Sequence, residues 1–307
     1  MTAGDPLPQG VQVFERGWLS ANNILLMDDT SAVLVDSGYV SHAPQTLALV
    51  AQALKGRPLD LLLNTHLHSD HCGGNQALQN AYPRLETWIP PGHAEAVAQW
   101  DEVALTYQST GQDCPRFQFQ NLLRPGEEVQ LAGKRWQVHA APGHDPYSII
   151  LFEPISRTLI SADALWQHGF GIVFPELEGI AAFHEVANTL DLIESLDANW
   201  IIPGHGAPFH DGTQALEFAR QKLNAFVQNP EKHARYGAKV LVKFKLLEWH
   251  QIDKEAFVAW AQMSTYLHAL YRVQATAQSF TEWLDMILAE LIKSKALHID
   301  GHLLHNI

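Results

Sequence analysis

Three imidazoles and a carboxylate fall within six residues, His66-x-His68-x-Asp70-His71, inside the segment Thr65-His66-Leu67-His68-Ser69-Asp70-His71-Cys72-Gly73-Gly74. That spacing suits metal chemistry. Neutral histidine is the commonest protein metal ligand, and an aspartate among histidines supplies the anionic oxygen that a second divalent ion, or a water nucleophile, needs close by. With 17 histidines in 307 residues, a chance match to the whole pattern is rare, although a motif counts only in its structural setting. Three more residues of ligand type follow strand-like runs. These are His144 after Trp136-Gln137-Val138-His139 and Ala140-Ala141-Pro142-Gly143, Asp163 after Thr158-Leu159-Ile160, and His205 after Trp200-Ile201-Ile202-Pro203-Gly204. A rigid sheet can hold ligands from distant segments at the short distances a metal demands. Cys72, beside His71, reads as a small packing residue.

The elements that must position these groups are legible in outline. Leu59, Leu61, Leu62 and Leu63 form an apolar run broken only by Asp60, which predicts a strand buried on both faces with the histidine loop at its carboxyl end. Before it, residues 11–14, 23–27 and 32–35 read as short strands separated by Gly17 and by Asp28-Asp29-Thr30. The third stops at Asp36-Ser37-Gly38. Residues 44–54 carry helical spacing through Leu47, Val50 and Leu54; Gly73-Gly74 should allow a tight turn into a short helix from Asn75. Beyond Phe209 the pattern turns helical. Thr213 is the expected cap of a helix with Leu216, Ala219, Leu223 and Phe226 on one face, ending at Asn229-Pro230. A second helix carries Tyr236, Val240, Phe244 and Leu247, a third spans residues 255–271, and Ser279-x-x-Glu282 is a capping box for a fourth with Trp283, Ile287 and Leu291. The expectation is a mixed α/β domain over residues 1–210 and a helical extension over 211–307.

Composition narrows the function classes. A formal charge of −13 and an isoelectric point near 5.6 disfavour nucleic acid as a partner, since that affinity rests on Lys and Arg neutralising phosphates. Two cysteines make no disulfide framework and fit a reducing, cytoplasmic setting. Residues 1–10 carry no apolar stretch of the secretory kind, and no run of 18 apolar residues suggests a membrane span. The expected partner is a small-molecule substrate.

Asp36, residues 65–74, His144, Asp163 and Pro203-Gly204-His205-Gly206, in that order, resemble the metallo-β-lactamase-fold hydrolase superfamily over about the first two thirds of the chain. The resemblance is closer to its glyoxalase-II-like and lactonase-like branch than to true β-lactamases, which typically lack an aspartate matching Asp163 and are exported. It implies an αβ/βα sandwich of two mixed sheets with outer helices, plus the C-terminal helical extension. By the same resemblance His66, His68 and His144 would bind one divalent ion, Asp70, His71 and His205 a second, and Asp163 both, with Asp36 supporting the ligand loop as an acceptor. The cofactors implied are two metal ions, zinc in the first place and iron or manganese as alternatives. The chemistry implied is dinuclear hydrolysis of an ester, thioester or lactone carbonyl by a metal-bridging hydroxide, with Asp70 as catalytic proton acceptor or shuttle. A mononuclear-iron persulfide dioxygenase and a non-hydrolytic signalling effector of the same fold are the competing readings.

Other residues stay open between substrate contact and plain structure. Tyr147 and His168 are candidates to line the substrate cleft. Trp166, Phe170 and Phe174 would suit an apolar wall for an acyl chain, and residues 100–124 a lid or a connecting loop. Arg235, Lys239, Lys243 and Lys245 would meet an anionic group or solvent. The helical extension would serve packing and homodimerisation, or else cover the metal cleft.

Overall fold

The computed structural model describes residues 6–274 and 277–307. Residues 1–5 of the stretch read above for a secretory signal lie outside the described residues. Two sheets form the body of the molecule. The first holds β1 (Val11–Phe14), β2 (Asn23–Met27), β3 (Ala32–Val35), β4 (Leu61–Leu63), β5 (Glu86–Ile89) and β6 (Asn121–Leu122) in that spatial order. Its first three strands pair antiparallel and β3 to β6 pair parallel. The second holds β7 (Glu128–Leu131), β8 (Lys134–Ala140), β9 (Ile149–Glu153), β10 (Thr158–Ala162) and β11 (Trp200–Pro203) in the order β11-β10-β9-β8-β7, parallel only between β10 and β11. Both sheets are therefore mixed.

Period-two alternation sorts the side chains into layers. Ile24, Leu26, Val33, Val35 and Leu63 of the first sheet meet Trp136, Val138, Ile149, Leu151 and Ile160 of the second in a core between the sheets. The alternate residues Leu25, Leu34 and Leu62 turn outward onto Val50 and Leu54 of helix α1 (Ala43–Leu54), and a four-residue turn α2 (Ser69–Cys72) leads to α3 (Asn75–Ala81), whose Leu78 joins them. After the short helices α4 (Ala94–Gln99), α5 (Tyr107–Thr110) and α6 (Phe174–Leu177), α7 (Phe183–Leu196) and α8 (Gly212–Gln228) cover the outer face of the second sheet. There Val186, Leu190, Leu216 and Leu223 pack on Ile150, Leu159 and Ile201. The layering is αβ/βα, as the resemblance implied.

The C-terminal part builds a second core. Helices α9 (Pro230–Trp249), α10 (Lys254–Met263), α11 (Thr265–Val273) and α12 (Phe280–Lys293) enclose Leu241, Leu246, Phe257, Leu267, Trp283 and Ile287. Four details differ from the sequence reading. Helix α8, read from sequence as the first helix of the extension, packs in the core of the sandwich. The expected third helix is two, because Ser264 leaves the helical conformation and caps α11 by accepting from the Leu267 N–H. The extension also contains a small antiparallel sheet, β12 (Gln251–Asp253), β13 (Leu297–Asp300) and β14 (Leu303–Asn306), in the order β12-β14-β13. Its strands are three or four residues long and rich in polar residues, so neither periodicity marks them. Asp211, not Thr213, caps α8, accepting from Gln214 N–H, whereas the Ser279–Glu282 capping box forms as expected. Among the described residues no helix is long and apolar enough to cross a membrane.

Candidate metal centre

All the candidate donors sit where strands of the two sheets end on one side of the sandwich. The histidine loop leaves β4, His144 follows β8, Asp163 follows β10 and His205 follows β11. Asp36, one residue past β3, organises the first loop. Its Oδ1 accepts from the Thr65 N–H at 2.9 Å, and its Oδ2 accepts from Thr65 Oγ1 at 2.8 Å and His71 Nδ1 at 2.7 Å. The bond to Nδ1 fixes the His71 tautomer and turns Nε2 toward the cleft, the usual service of a carboxylate behind a ligating imidazole. Asp36 does this from a left-handed backbone at φ 60°, a conformation aspartate tolerates better than most residues. Gly73 and Gly74 have negative φ, so they do not provide the flexible turn expected of them. Close approach explains Gly73: a Cβ there would lie 2.5 Å from Ser69 O and 2.7 Å from Val40 N.

The donors form two groups. One ligand atom each from His66, His68 and His144 lie within 4.8 Å of one another, and so do those of Asp70, His71, Asp163 and His205. His68 Nδ1 is 2.8 Å from His144 Nε2, and His205 Nε2 is 3.1 Å from Asp70 Oδ2. Asp163 faces both groups: Oδ1 is 3.5 Å from His71 Nε2 and Oδ2 is 3.4 Å from His144 Nε2. The backbone carbonyl of Ile172 accepts from His144 Nδ1, which leaves Nε2 for the cleft. Trp166 Nε1 donates to Asp163 Oδ1 at 3.1 Å.

The electrostatics fit a cation. Burial, reinforced by the neighbouring histidines, holds His66 well below the ordinary histidine range, and burial with His144 pushes His68 down to about 4, so both rings are neutral donors at pH 7. Burial works against ionising Asp163, but His205 and His71 outweigh it and keep the carboxyl well below its usual range. At His71 burial is likewise outweighed, by Asp36, Asp163 and Asp70, which push that ring well above its ordinary value. Three carboxylates thus favour positive charge at this point. His66 Nε2 and His71 Nε2 are buried without any hydrogen-bond partner in the protein, an arrangement that costs stability unless another group satisfies them. Orphaned imidazole nitrogens beside buried carboxylates fit divalent metal ions.

The cleft opens into a cavity of about 380 Å³ whose floor includes His68, Asp70, His144, Asp163 and His205. Trp166 and Phe174 line it, as expected of an apolar wall, but Phe170 turns away into the core against α8. Tyr147 and His168 are not on its wall. Tyr147 lies over Gly92 with its ring against His93, and the His168 ring packs on Phe218. Spacing from His144 and Asp163 suggested both residues, but their rings pack on neighbours that do not line the cavity. From residues 100–124, Thr106, Thr110 and Gln112 reach the cavity, while Leu105, Tyr107, Cys114 and Phe117 pack beneath with Cys72, so the segment is part wall and part core. Lys245 pairs with Glu248 and Arg235 with Glu290.

Sequence reasoning missed Trp18, which stacks on the His205 ring at 5.3 Å and is 57% exposed at the mouth. It also missed Asp145, buried with Oδ2 3.9 Å from His68 Nε2. The adjacency of Asp145 to His144 was the available signal; for Trp18 the sequence offered none.

A sandwich of two mixed sheets carrying clustered His and Asp donors at strand ends defines a class of metal-dependent proteins. Within it, residues 16–205 match the metallo-beta-lactamase superfamily, and the chain belongs to that superfamily. It is 32% identical over 151 residues to a hydroxyacylglutathione hydrolase of Stenotrophomonas maltophilia (strain R551-3), covering 49% of this chain and 48% of that protein, so it spans about half the length of this relative. A hydroxyacylglutathione hydrolase of Synechococcus sp. (strain JA-2-3B'a(2-13)) is 27% identical over 230 residues, 74% of this chain and 77% of that one. Among solved structures, a metallo-beta-lactamase family protein from Thermus thermophilus superposes with a TM-score of 0.59 at 20% identity, covering 98% of this chain and all of its own, which speaks to the fold. A protein crystallised in a di-iron-bound form is 25% identical with a TM-score of 0.53, over 68% of this chain and 96% of its own.

Proposed function

We propose that this protein hydrolyses an ester, thioester or lactone carbonyl with two divalent ions. His66, His68 and His144 would hold one, Asp70, His71 and His205 the other, and Asp163 both. The observation that carries the reading is the placement of Asp163, whose two oxygens face different donor groups 3.5 and 3.4 Å away. Bound there, the ions would polarise the carbonyl as Lewis acids and generate a nucleophile from water near neutral pH. The residues themselves do the rest. Asp36 and the Ile172 carbonyl set the tautomers of His71 and His144. Asp70, on the cavity floor and hydrogen-bonded through Oδ2 to His205, is placed to accept a proton at that oxygen and return it to the leaving group. The low-dielectric walls of Trp18, Trp166 and Phe174 strengthen each of these interactions.

Nitrogen and carboxylate donors suit zinc, and the di-iron form of the relative above supports iron as the alternative. The names of the two curated relatives support the thioester branch. Free thiols at Cys72 and Cys114 support a cytoplasmic location. The test is elemental analysis of the purified protein with turnover assays on thioesters, esters, lactones, phosphodiesters and glutathione persulfide. Two ions per chain with carbonyl turnover, and about one ion in Asp163→Asn, are expected. One iron with oxygen uptake on the persulfide overturns the proposal, and silence on every substrate favours a signalling effector.

A further inference from the structure

The cavity above the donors has one wall that the reaction does not require. Helix α9 lies across it and presents Tyr236, Val240, Lys243, Phe244 and Leu247, residues spaced i, i+4, i+7, i+8 and i+11 along one face. Ile172 and Phe174 continue the apolar lining down to His144, so the apolar space is continuous with the place where a carbonyl would react. Tyr236, Val240 and Leu247 are only half-buried, although their neighbours Ala238, Leu241 and Leu246 are fully packed in the helical core. Their exposed surface therefore faces the cavity.

Charge decides what fits there. Among the described residues the lysines lining the cavity are Lys239 and Lys243, and no arginine lines it. Both ammonium groups are engaged elsewhere. Lys239 Nζ lies 3.1 Å from Glu290 Oε2, and Lys243 Nζ donates to Ala296 O at 2.6 Å, Asn306 Oδ1 at 2.5 Å and Ile307 O at 2.9 Å. Their stems add apolar surface while their heads point away, as long basic side chains commonly do. A glutathione moiety carries two carboxylates, and burying either without a cation is unfavourable. A volume of about 380 Å³ at roughly 30 Å³ per water-sized group has room for about a dozen heavy atoms.

We propose that this cavity receives an uncharged apolar chain of about six to ten carbons on the acyl side of the substrate, rather than a charged peptide thiol. The proposal rests on the hydrolase reading above for the identity of the reacting end, but the chain-binding wall is testable without it. First, neutral amides from acetamide to octanamide are titrated into the metal-free protein by calorimetry; affinity should rise up to about fourfold per added methylene. Second, the metal-loaded protein is assayed on acyl esters and thioesters of increasing length and on lactoylglutathione. The kcat/KM should climb with chain length and exceed that for the glutathione thioester at least tenfold. Third, Val240→Trp, with Leu247→Trp as the second variant, should weaken octanamide binding and move the optimum to shorter chains while circular dichroism reports an intact fold. A flat amide series, a preference for the glutathione thioester, or folded variants with unchanged chain-length profiles overturns the proposal. Amide binding without turnover of any ester, thioester or lactone would sink the hydrolase reading and leave the chain pocket standing.

Discussion

Replacing Asp36 separates its two roles, holding the loop together and fixing the His71 tautomer. In Asp36→Ala the Thr65 N–H and the His71 Nδ1–H lose their buried acceptor. Thr65 Oγ1 loses less, because His66 Nδ1 at 3.2 Å can take its place as a partner. Two unsatisfied buried donors cost about 1–3 kcal/mol each, and alanine held at φ 60° adds about 1 kcal/mol, so the expected loss is about 3–7 kcal/mol. Asp36→Asn should behave differently. Asparagine keeps an acceptor for Thr65 N–H and tolerates the left-handed backbone, but it turns an N–H₂ toward His71 Nδ1. That ring must then carry its proton on Nε2, where Asp163 and Asp70 lie 3.5 and 3.9 Å away. The asparagine variant is therefore expected to lose only about 1–2 kcal/mol yet bind fewer ions. Urea unfolding at constant slope gives the stabilities, and elemental analysis gives metal per chain. An Asp36→Ala protein within about 1 kcal/mol of wild type, or an Asp36→Asn protein with full metal content, would refute the reasoning.

Three further substitutions test other parts of the structure. A Cβ on Gly204 would lie 2.2 Å from Asp163 Oδ1 and 3.0 Å from His71 Cε1, so Gly204→Ala should lower metal content and reduce turnover about 100-fold; retained metal would contradict the packing. Burial, helped by Lys222, pushes His233 down to about 4 from 6.5, and its neutral ring accepts from the Val173 N–H. Because the unfolded chain takes up that proton first, the contribution of about 3 kcal/mol is complete above pH 6.5 and is lost as pH falls toward 4. Urea midpoints at pH 7.5 and 4.5 should show a smaller fall in His233→Gln than in wild type. Tyr39 OH accepts from Asp113 N–H at 3.0 Å and donates to Glu248 at 3.1 Å, tying α9 to the sandwich; Tyr39→Phe should cost about 1–3 kcal/mol and speed amide exchange in α9, and unchanged exchange would argue against that tie.

How much of this could be read from the sequence depended on the range of the interaction. The sandwich strands were legible because buried sheet residues leave apolar runs, and the strand bounds 11–14, 23–27 and 32–35 match β1 to β3. Asp60 interrupts such a run because its carboxylate accepts from the Ala32 N–H, so β4 is the shorter Leu61–Leu63. The seven His and Asp side chains that the fold brings into two groups were legible because their types and their positions after strands are local facts. Tyr147 and His168 lie off the cavity wall, because chain proximity to a donor does not decide which neighbours a side chain packs on. Trp18 reaches His205 across 187 residues of chain, and no local pattern records such a contact.

Helix α9 shows where a finer reading was available. The stripe Tyr236, Val240, Phe244, Leu247 adjoins the face formed by Ala234, Ala238, Leu241, Val242 and Leu246; Tyr236 and Val240 pack partly against that helical core, and Phe244 is buried with Leu19 and Tyr39. The helix is thus apolar over two adjoining faces, wider than one packing partner requires. A helix with two apolar faces needs two apolar neighbours, and here the helical core supplies the first. Along the other face Phe244 and Leu247 meet Leu19 and Tyr39, and the remaining surface borders a cavity that ends at the candidate donors. Apolar surface turned toward a cavity gains nothing from burial until a ligand covers it, so its presence is better explained by what enters than by what folds. On the chain-pocket proposal, the stripe on α9 is the part of the sequence that sets substrate preference, and its width, rather than its period, is the signal.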